Sequence, residues 1–129
     1  MEGKSPLEDL LVDAGEIDEF LLRDLLKPYV QIEKQGGNLF FTADFDKLNL
    51  RQKILVVLLA QKVKFRLGYT SSERLPPKDL ELLLGAKGGS IRPALKDLRQ
   101  FGLIAGEKGE YYVPNAAIFK VKSYLLKGG

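Results

Sequence analysis

Between residues 86 and 114 the chain reads AKGGSIRPALKDLRQFGLIAGEKGEYYVP. Arg92, Lys96 and Arg99 recur there at steps of four and three, so on a helix they share one side, with Gln100 beside Arg99. Lys87 and Ser90 stand at the entrance of that helix, where first-turn N–H groups without helical partners attract phosphate. Lys108 falls at the tip of the turn that follows. Arginine and glutamine can make paired hydrogen bonds to guanine and adenine edges, while lysine acts mainly as a cation against phosphate. The chemistry open to Lys87, Ser90, Arg92, Lys96, Arg99, Gln100 and Lys108 is therefore recognition of a polyanion, with no covalent step.

The elements that must hold these side chains follow from the same stretch. Ile91, Ala94, Leu95 and Leu98 form an apolar stripe at helical spacing, which predicts a helix over 91–101 with its polar face outward. Ser90 is the expected N-cap, and Pro93 then takes the third helical position, where its missing N–H costs nothing. Phe101 and Leu103 close the end and Gly102 terminates the helix. Residues 104–106 and 111–113 read as short strands joined through EKGE; Tyr111 and Tyr112 alternate, which predicts one ring buried and one exposed near Lys108.

Upstream, residues 6–14 and 16–27 read as helices, the second with Ile17, Phe20, Leu21 and Leu25 at helical spacing and Pro28 as its stop. YVQIEK, QGGN and LFFTA predict a β-hairpin over 29–43. The longest helix is expected over 49–67, capped by Asn49 and ended by Gly68; its middle, ILVVLLA, is apolar all round and marks a central buried helix. A polar connection over 68–77 leads to a helix near 78–84, with Pro77 in its first turn and Gly85 after it. Residues 115–127 form a last amphipathic helix with Ile118, Val121 and Leu125 on one side. Phe40, Phe41 and Phe45 are expected in the core beneath the hairpin. Lys62, Lys64 and Arg66 are expected to complement the end of the long helix, and Asp44 and Asp46 to form a helix approach rather than a cation site.

Composition narrows the function classes. The chain has 129 residues, no cysteine and no histidine. Disulfides, thiolate metal sites and the nucleophile pairs that rely on histidine are thus absent, and no metal or cofactor is expected. An enzyme built on carboxylates ranks last among the readings. The longest apolar run is seven residues, against about 20 for a membrane span, and the acidic N-terminus lacks a signal-type apolar region, so a soluble cytoplasmic protein with no membrane contact is expected. The net charge of +3 is unevenly spread: residues 1–27 carry eight acids and three bases, residues 28–129 nine acids and seventeen bases. A basic body with an acidic arm points to an anionic partner for the body.

PPKDLELLLG, AKGG, SIRPALKDLRQFGLI and AGEKGEYYV occur in the order helix, turn, helix, hairpin after the long helix. This resembles a winged helix-turn-helix domain over 49–114, most specifically over 76–113. The resemblance implies a mostly helical α+β fold: residues 1–46 as an acidic helix-and-hairpin arm, and 47–129 as the winged-helix body with a C-terminal helix. It implies binding of double-stranded DNA through helix 91–101 and a wing over 104–113, in a small non-enzymatic transcriptional regulator. It also implies a homodimer, because one recognition helix reads only a few base pairs; the C-terminal helix or the N-terminal arm could form the contact. The alternative is a winged-helix adaptor that binds protein in a larger complex, with the acidic arm or the hairpin as its active surface.

Overall fold

Seven consecutive apolar residues without a polar face must be enclosed from every direction, and the chain is arranged to do this. The computed structural model describes residues 5–11 and 17–127. Its central helix is Leu50–Arg66, and Ile54, Leu55, Val56, Val57, Leu58, Leu59 and Ala60 within it are all fully buried. The helix starts at a reciprocal cap. The Asn49 side chain accepts from the Gln52 N–H at 2.9 Å, and the Gln52 side chain accepts from the Asn49 N–H at 2.9 Å.

In chain order the elements are a 3-10 turn (Pro6–Leu10), α1 (Glu19–Leu26), β1 (Val30–Ile32), β2 (Leu39–Phe41), α2 (Ala43–Asp46), α3 (Leu50–Arg66), α4 (Pro77–Leu84), α5 (Gly88–Gln100), β3 (Ala105–Glu107), β4 (Glu110–Tyr112), a second 3-10 turn (Asn115–Ala117) and α6 (Ile118–Leu126). The fold is mostly helical with two small antiparallel hairpins. The central helix α3 touches α1, β1, α4, α5, β4 and α6. Leu22, Leu25, Leu26, Val30 and Phe45 from the N-terminal part belong to the same apolar cluster as Leu80, Leu95, Leu98, Val113 and Val121 from the C-terminal part. Among the described residues no helix is long and apolar enough to cross a membrane.

The first helix starts later than expected, at Glu19; Ile17, Leu21 and Leu25 pack on the core as their spacing predicts, but Phe20 does not. Asp18 caps α1 by accepting from the Leu21 N–H at 3.0 Å. From that start Leu22, Leu25 and Leu26 turn inward and Phe20 turns out, where the Arg23 guanidinium covers its ring at 5.2 Å. The helix expected over 6–14 shortens to the turn at Pro6–Leu10; residues 12–14 lie outside the described part. The hairpin forms as expected, in the register Val30↔Phe41 and Ile32↔Leu39. Gly37 in its turn has φ 73°, and a Cβ there would meet the Tyr69 ring at 3.0 Å, so both backbone and space require glycine. Below the hairpin Phe45 is buried and stacks on Phe41 at 4.1 Å, but Phe40 points outward. Asp44 and Asp46 lie in the short helix α2.

A lysine completes the frame around α3. Lys62 is only 2% exposed and forms an ion pair with Glu73 while donating to the Asn115 Oδ1 at 2.6 Å. One turn face away, Gln61 donates to the Ser72 carbonyl at 2.9 Å. A buried ammonium without partners costs several kcal/mol, roughly. Lys62 therefore ties the loop ahead of α4 and the start of the 3-10 turn ahead of α6 to the same helix. Beside it, Leu75 pairs antiparallel with Tyr111 through two backbone hydrogen bonds of 2.9 and 2.8 Å, placing a third extended segment next to β4.

The stripe Ile91, Ala94, Leu95 and Leu98 is buried against α3 as its spacing predicts, and Ile118, Val121 and Leu125 bury α6. Leu95→Ala is expected to lower stability by roughly 2–5 kcal/mol in equilibrium denaturation, the range for truncating a buried leucine. A loss below about 0.5 kcal/mol, typical of surface positions, would put the phase of α5 in error.

Candidate nucleic-acid interface

The outer face of α5 exists because its inner face is used up. The four buried residues of the stripe leave Arg92, Lys96 and Arg99 on the opposite side, and all three are exposed. Gln100, Lys87, Ser90 and Lys108 are exposed as well. Every residue that the sequence singles out for polyanion contact thus lies at the surface, six of them on or at the start of one helix.

Arg51, Lys62, Arg66 and Arg74 each hold a carboxylate. Among the described residues, Lys87, Arg92, Lys96, Arg99 and Lys108 form no ion pair. Lack of an ion pair is shared with Lys64, Lys78 and Lys122 among the described residues, so it is the clustering of these cations on one face that matters. The acid on α5, Asp97, is held by Arg51 of α3, which also lies 5.7 Å over the Phe101 ring. This hydrogen bond keeps the Arg51 pKa above its ordinary value. It also offsets the negative charge between Lys96 and Arg99, so the α5 face is more positive than its sequence reads.

The helix entrance departs from expectation. The helix α5 begins at Gly88 with Lys87 in the N-cap position, and no side chain caps it. Ser90 is therefore inside the first turn, its N–H donating to the Lys87 carbonyl at 2.9 Å. Pro93 sits one turn deeper than the third position, which leaves the Gly89 carbonyl without the N–H it would receive four residues on. Two glycines are tolerated here because the first turn is open and a neighbour is close. A Cβ on Gly88 would stand 3.0 Å from the Glu81 carboxylate of α4. That carboxylate complements the positive end of the helix dipole and opposes a phosphate in the same place. Glu81 was legible only as a polar position of α4; its placement comes from the tight α4–α5 corner.

That corner has three residues, Gly85, Ala86 and Lys87, between the two helices. Gly85 ends α4 with φ 62°. The other end of α5 closes in a Schellman motif. The Gly102 N–H donates to the Arg99 carbonyl at 3.0 Å and the Leu103 N–H to the Leu98 carbonyl at 3.1 Å, with Gly102 at φ 77°. This reverses the chain into β3.

Strands β3 and β4 pair in the register Ala105↔Tyr112 and Glu107↔Glu110, one residue later than expected for β3 and one earlier for β4. Lys108 and Gly109 form the two-residue turn, both at positive φ (55° and 78°), the pattern that matches strand twist. Lys108 is at the tip but stands between Glu107 and Glu110. Arg74, missed in the sequence, pairs with Glu107 at 3.1 Å and lies 5.5 Å over the Tyr112 ring. The expected split of Tyr111 and Tyr112 into one buried and one exposed ring does not occur. Both are half-buried, because Tyr111 lies across Gly106 and Tyr112 under Arg74.

Among the described residues no cluster of three or more carboxylates could hold a metal ion. No family model, curated protein or solved structure matches the chain.

Gly89 and Gly102 test where α5 begins and ends. Nothing lies within 4 Å of a Cβ on Gly89, which is in helical backbone, so Gly89→Ala is expected to stabilise by about 0.4–1 kcal/mol. Gly102→Ala must strain a φ of 77° and displace the Lys120 ammonium, 2.9 Å from the new Cβ, and is expected to destabilise by at least about 1 kcal/mol. Urea denaturation of both reads the signs. Destabilisation by Gly89→Ala would restore Ser90 as the cap.

Proposed function

We propose that residues 49–114 form a winged helix-turn-helix body that binds double-stranded DNA in a sequence-specific manner, in a small transcriptional regulator that acts by binding rather than catalysis. The observation that carries this reading is the outer face of α5: Arg92, Lys96 and Arg99 are exposed on one side of the helix, none of them in an ion pair with a described residue. Holding three like charges together in water, with the one acid between them, Asp97, taken up by Arg51, favours an anionic partner. The order of elements supports the same reading: α3, the Leu75 segment bridged to β4, α4, a three-residue corner, α5 and the β3–β4 hairpin. In this reading α5 enters the major groove, its N-terminal half facing base edges, and the β3–β4 hairpin reaches the adjoining backbone. Two copies act together, since one helix reads few base pairs.

A second reading has its own support. Leu82 of α4 is 76% exposed and Leu83 beside it is also exposed, an apolar pair that fits a protein partner better than phosphate. A winged-helix adaptor would use that surface and leave α5 solvated.

Two substitutions separate reading from holding. Against the best duplex selected from a random pool, Arg92→Ala is expected to cost roughly 1–3 kcal/mol and to relax preference at one position. Lys108→Ala is expected to weaken all duplexes about equally and to reduce the salt slope by about one. Neither side chain is on the buried stripe, so both variants should fold. Parent-like binding by both folded variants would pass the assignment to the adaptor.

A further inference from the structure

The N-terminal helix, the first hairpin and the end of α3 enclose a groove of about 420 Å³ whose floor is apolar, with Leu22, Leu26, Val30, Ile32 and Val63, and with Leu67 exposed at its edge. Its rim is basic, with Arg23, Lys27 and Arg66 against a single acid, Glu19. Arg66 pairs with Glu19 at 3.0 Å and Arg23 with its exposed neighbour Asp24 at 3.0 Å, while Lys27 forms no ion pair with a described residue. The chain therefore carries an apolar slot with a net positive rim, Lys27 its one cation in no ion pair with a described residue, on a face remote in sequence from α5.

The same chain carries a complementary piece. Residues 5–11 read SPLEDLL. The turn Pro6–Leu10 is built rather than loose: Ser5 Oγ accepts from the Leu7 N–H at 3.1 Å, and the Glu8 carboxylate accepts from the Ser5 N–H at 3.0 Å. It presents Leu7, Leu10 and Leu11 to solvent at 71%, 78% and 75% exposure. Positions three apart eclipse in a 3-10 turn, so Leu7 and Leu10 share one side, and Glu8 and Asp9 flank them. A preformed turn with three exposed leucines and two acids matches a groove with an apolar floor and a basic rim in both shape of charge and chemistry. In one copy neither surface covers the other.

We propose that residues 5–11 of one copy dock into the α1–β1–α3 groove of a second copy of this chain, and that the exchange is reciprocal. A self-complementary contact of this kind closes into a twofold dimer and stops there. It would bury Leu7, Leu10 and Leu11, and Glu8 and Asp9 would meet Arg23 and Lys27. The contact requires no nucleic acid. It names a surface for the pairing invoked above, yet it stands or falls without the DNA reading.

Because the chain has no cysteine, single cysteines report the contact directly. Leu10→Cys and Leu67→Cys are both at exposed positions, so full-length variants should fold. The two proteins are mixed without DNA and treated with a short thiol-to-thiol crosslinker. A crosslinked species at twice the 14.4 kDa chain mass is expected, at least tenfold more abundant than when Leu67→Cys is replaced by Ala116→Cys on the far end of the chain. Sedimentation should give a dimer for the parent, and at least a tenfold weaker one for Glu8→Lys with Asp9→Lys. Adding Arg23→Glu and Lys27→Glu to that variant should restore it. A mixture that crosslinks no better than the Ala116→Cys control overturns the proposal. So does a chain carrying both Leu10→Cys and Leu67→Cys that links only within itself.

Discussion

The enclosure of α3 is the constraint from which the rest of the structure follows. Its run from Ile54 to Ala60 has no side that tolerates water, so α1, α4, α5, α6 and both hairpins are laid around it. Burial of side chains of this size contributes roughly 1.5–3 kcal/mol each, far more than any surface ion pair in the molecule. Where the helix leaves this shell, Gln61 and Lys62 continue the enclosure in polar form, binding the loop at Ser72 and Glu73 and the turn at Asn115. The β3–β4 hairpin is held by the same region, since Leu75 lies two residues after Glu73 and pairs with Tyr111.

Exposure of the α5 face is a consequence of that packing. A helix with one apolar stripe, pressed by that stripe on α3, must offer its other side outward. The Schellman turn at Gly102 and the two-residue turn at Lys108 and Gly109 then fix the direction of the β3–β4 hairpin relative to the helix. Charge is sorted along with shape. Arg51 and Arg74 hold Asp97 and Glu107, the acids nearest the face, while Arg92, Lys96 and Arg99 keep none. The Glu81 carboxylate at the entrance and the two glutamates around Lys108 make the ends of the face less positive than its middle.

How much of this could be read from the residues depends on whether local or distant chemistry decided the outcome. Elements set by short-range signals came through: the Asn49 cap, the QGGN turn, Gly85 and Gly102 as helix ends, and the buried stripes of α5 and α6. Those decided by a neighbour distant in sequence did not. Lys62 reads as a surface cation until Glu73 and Asn115 are brought to it, eleven and fifty-three residues away. The start of α5 lies ahead of Ser90, at Gly88, beside the Glu81 carboxylate of α4. The half-burial of both Tyr111 and Tyr112 depends on Gly106 and Arg74, one a cross-strand gap and the other a cation from a preceding loop.

The account rests on the α5 face being made for an anionic polymer, and salt dependence tests that most directly. Binding of the full chain to random duplex DNA should fall linearly in log affinity against log salt. If Lys87, Lys96, Arg99 and Lys108 each neutralise one phosphate, the slope should be about −3 to −4 per bound copy, since each contact releases counterions. A slope near zero, or no binding at the lowest salt with the protein folded, would contradict the account.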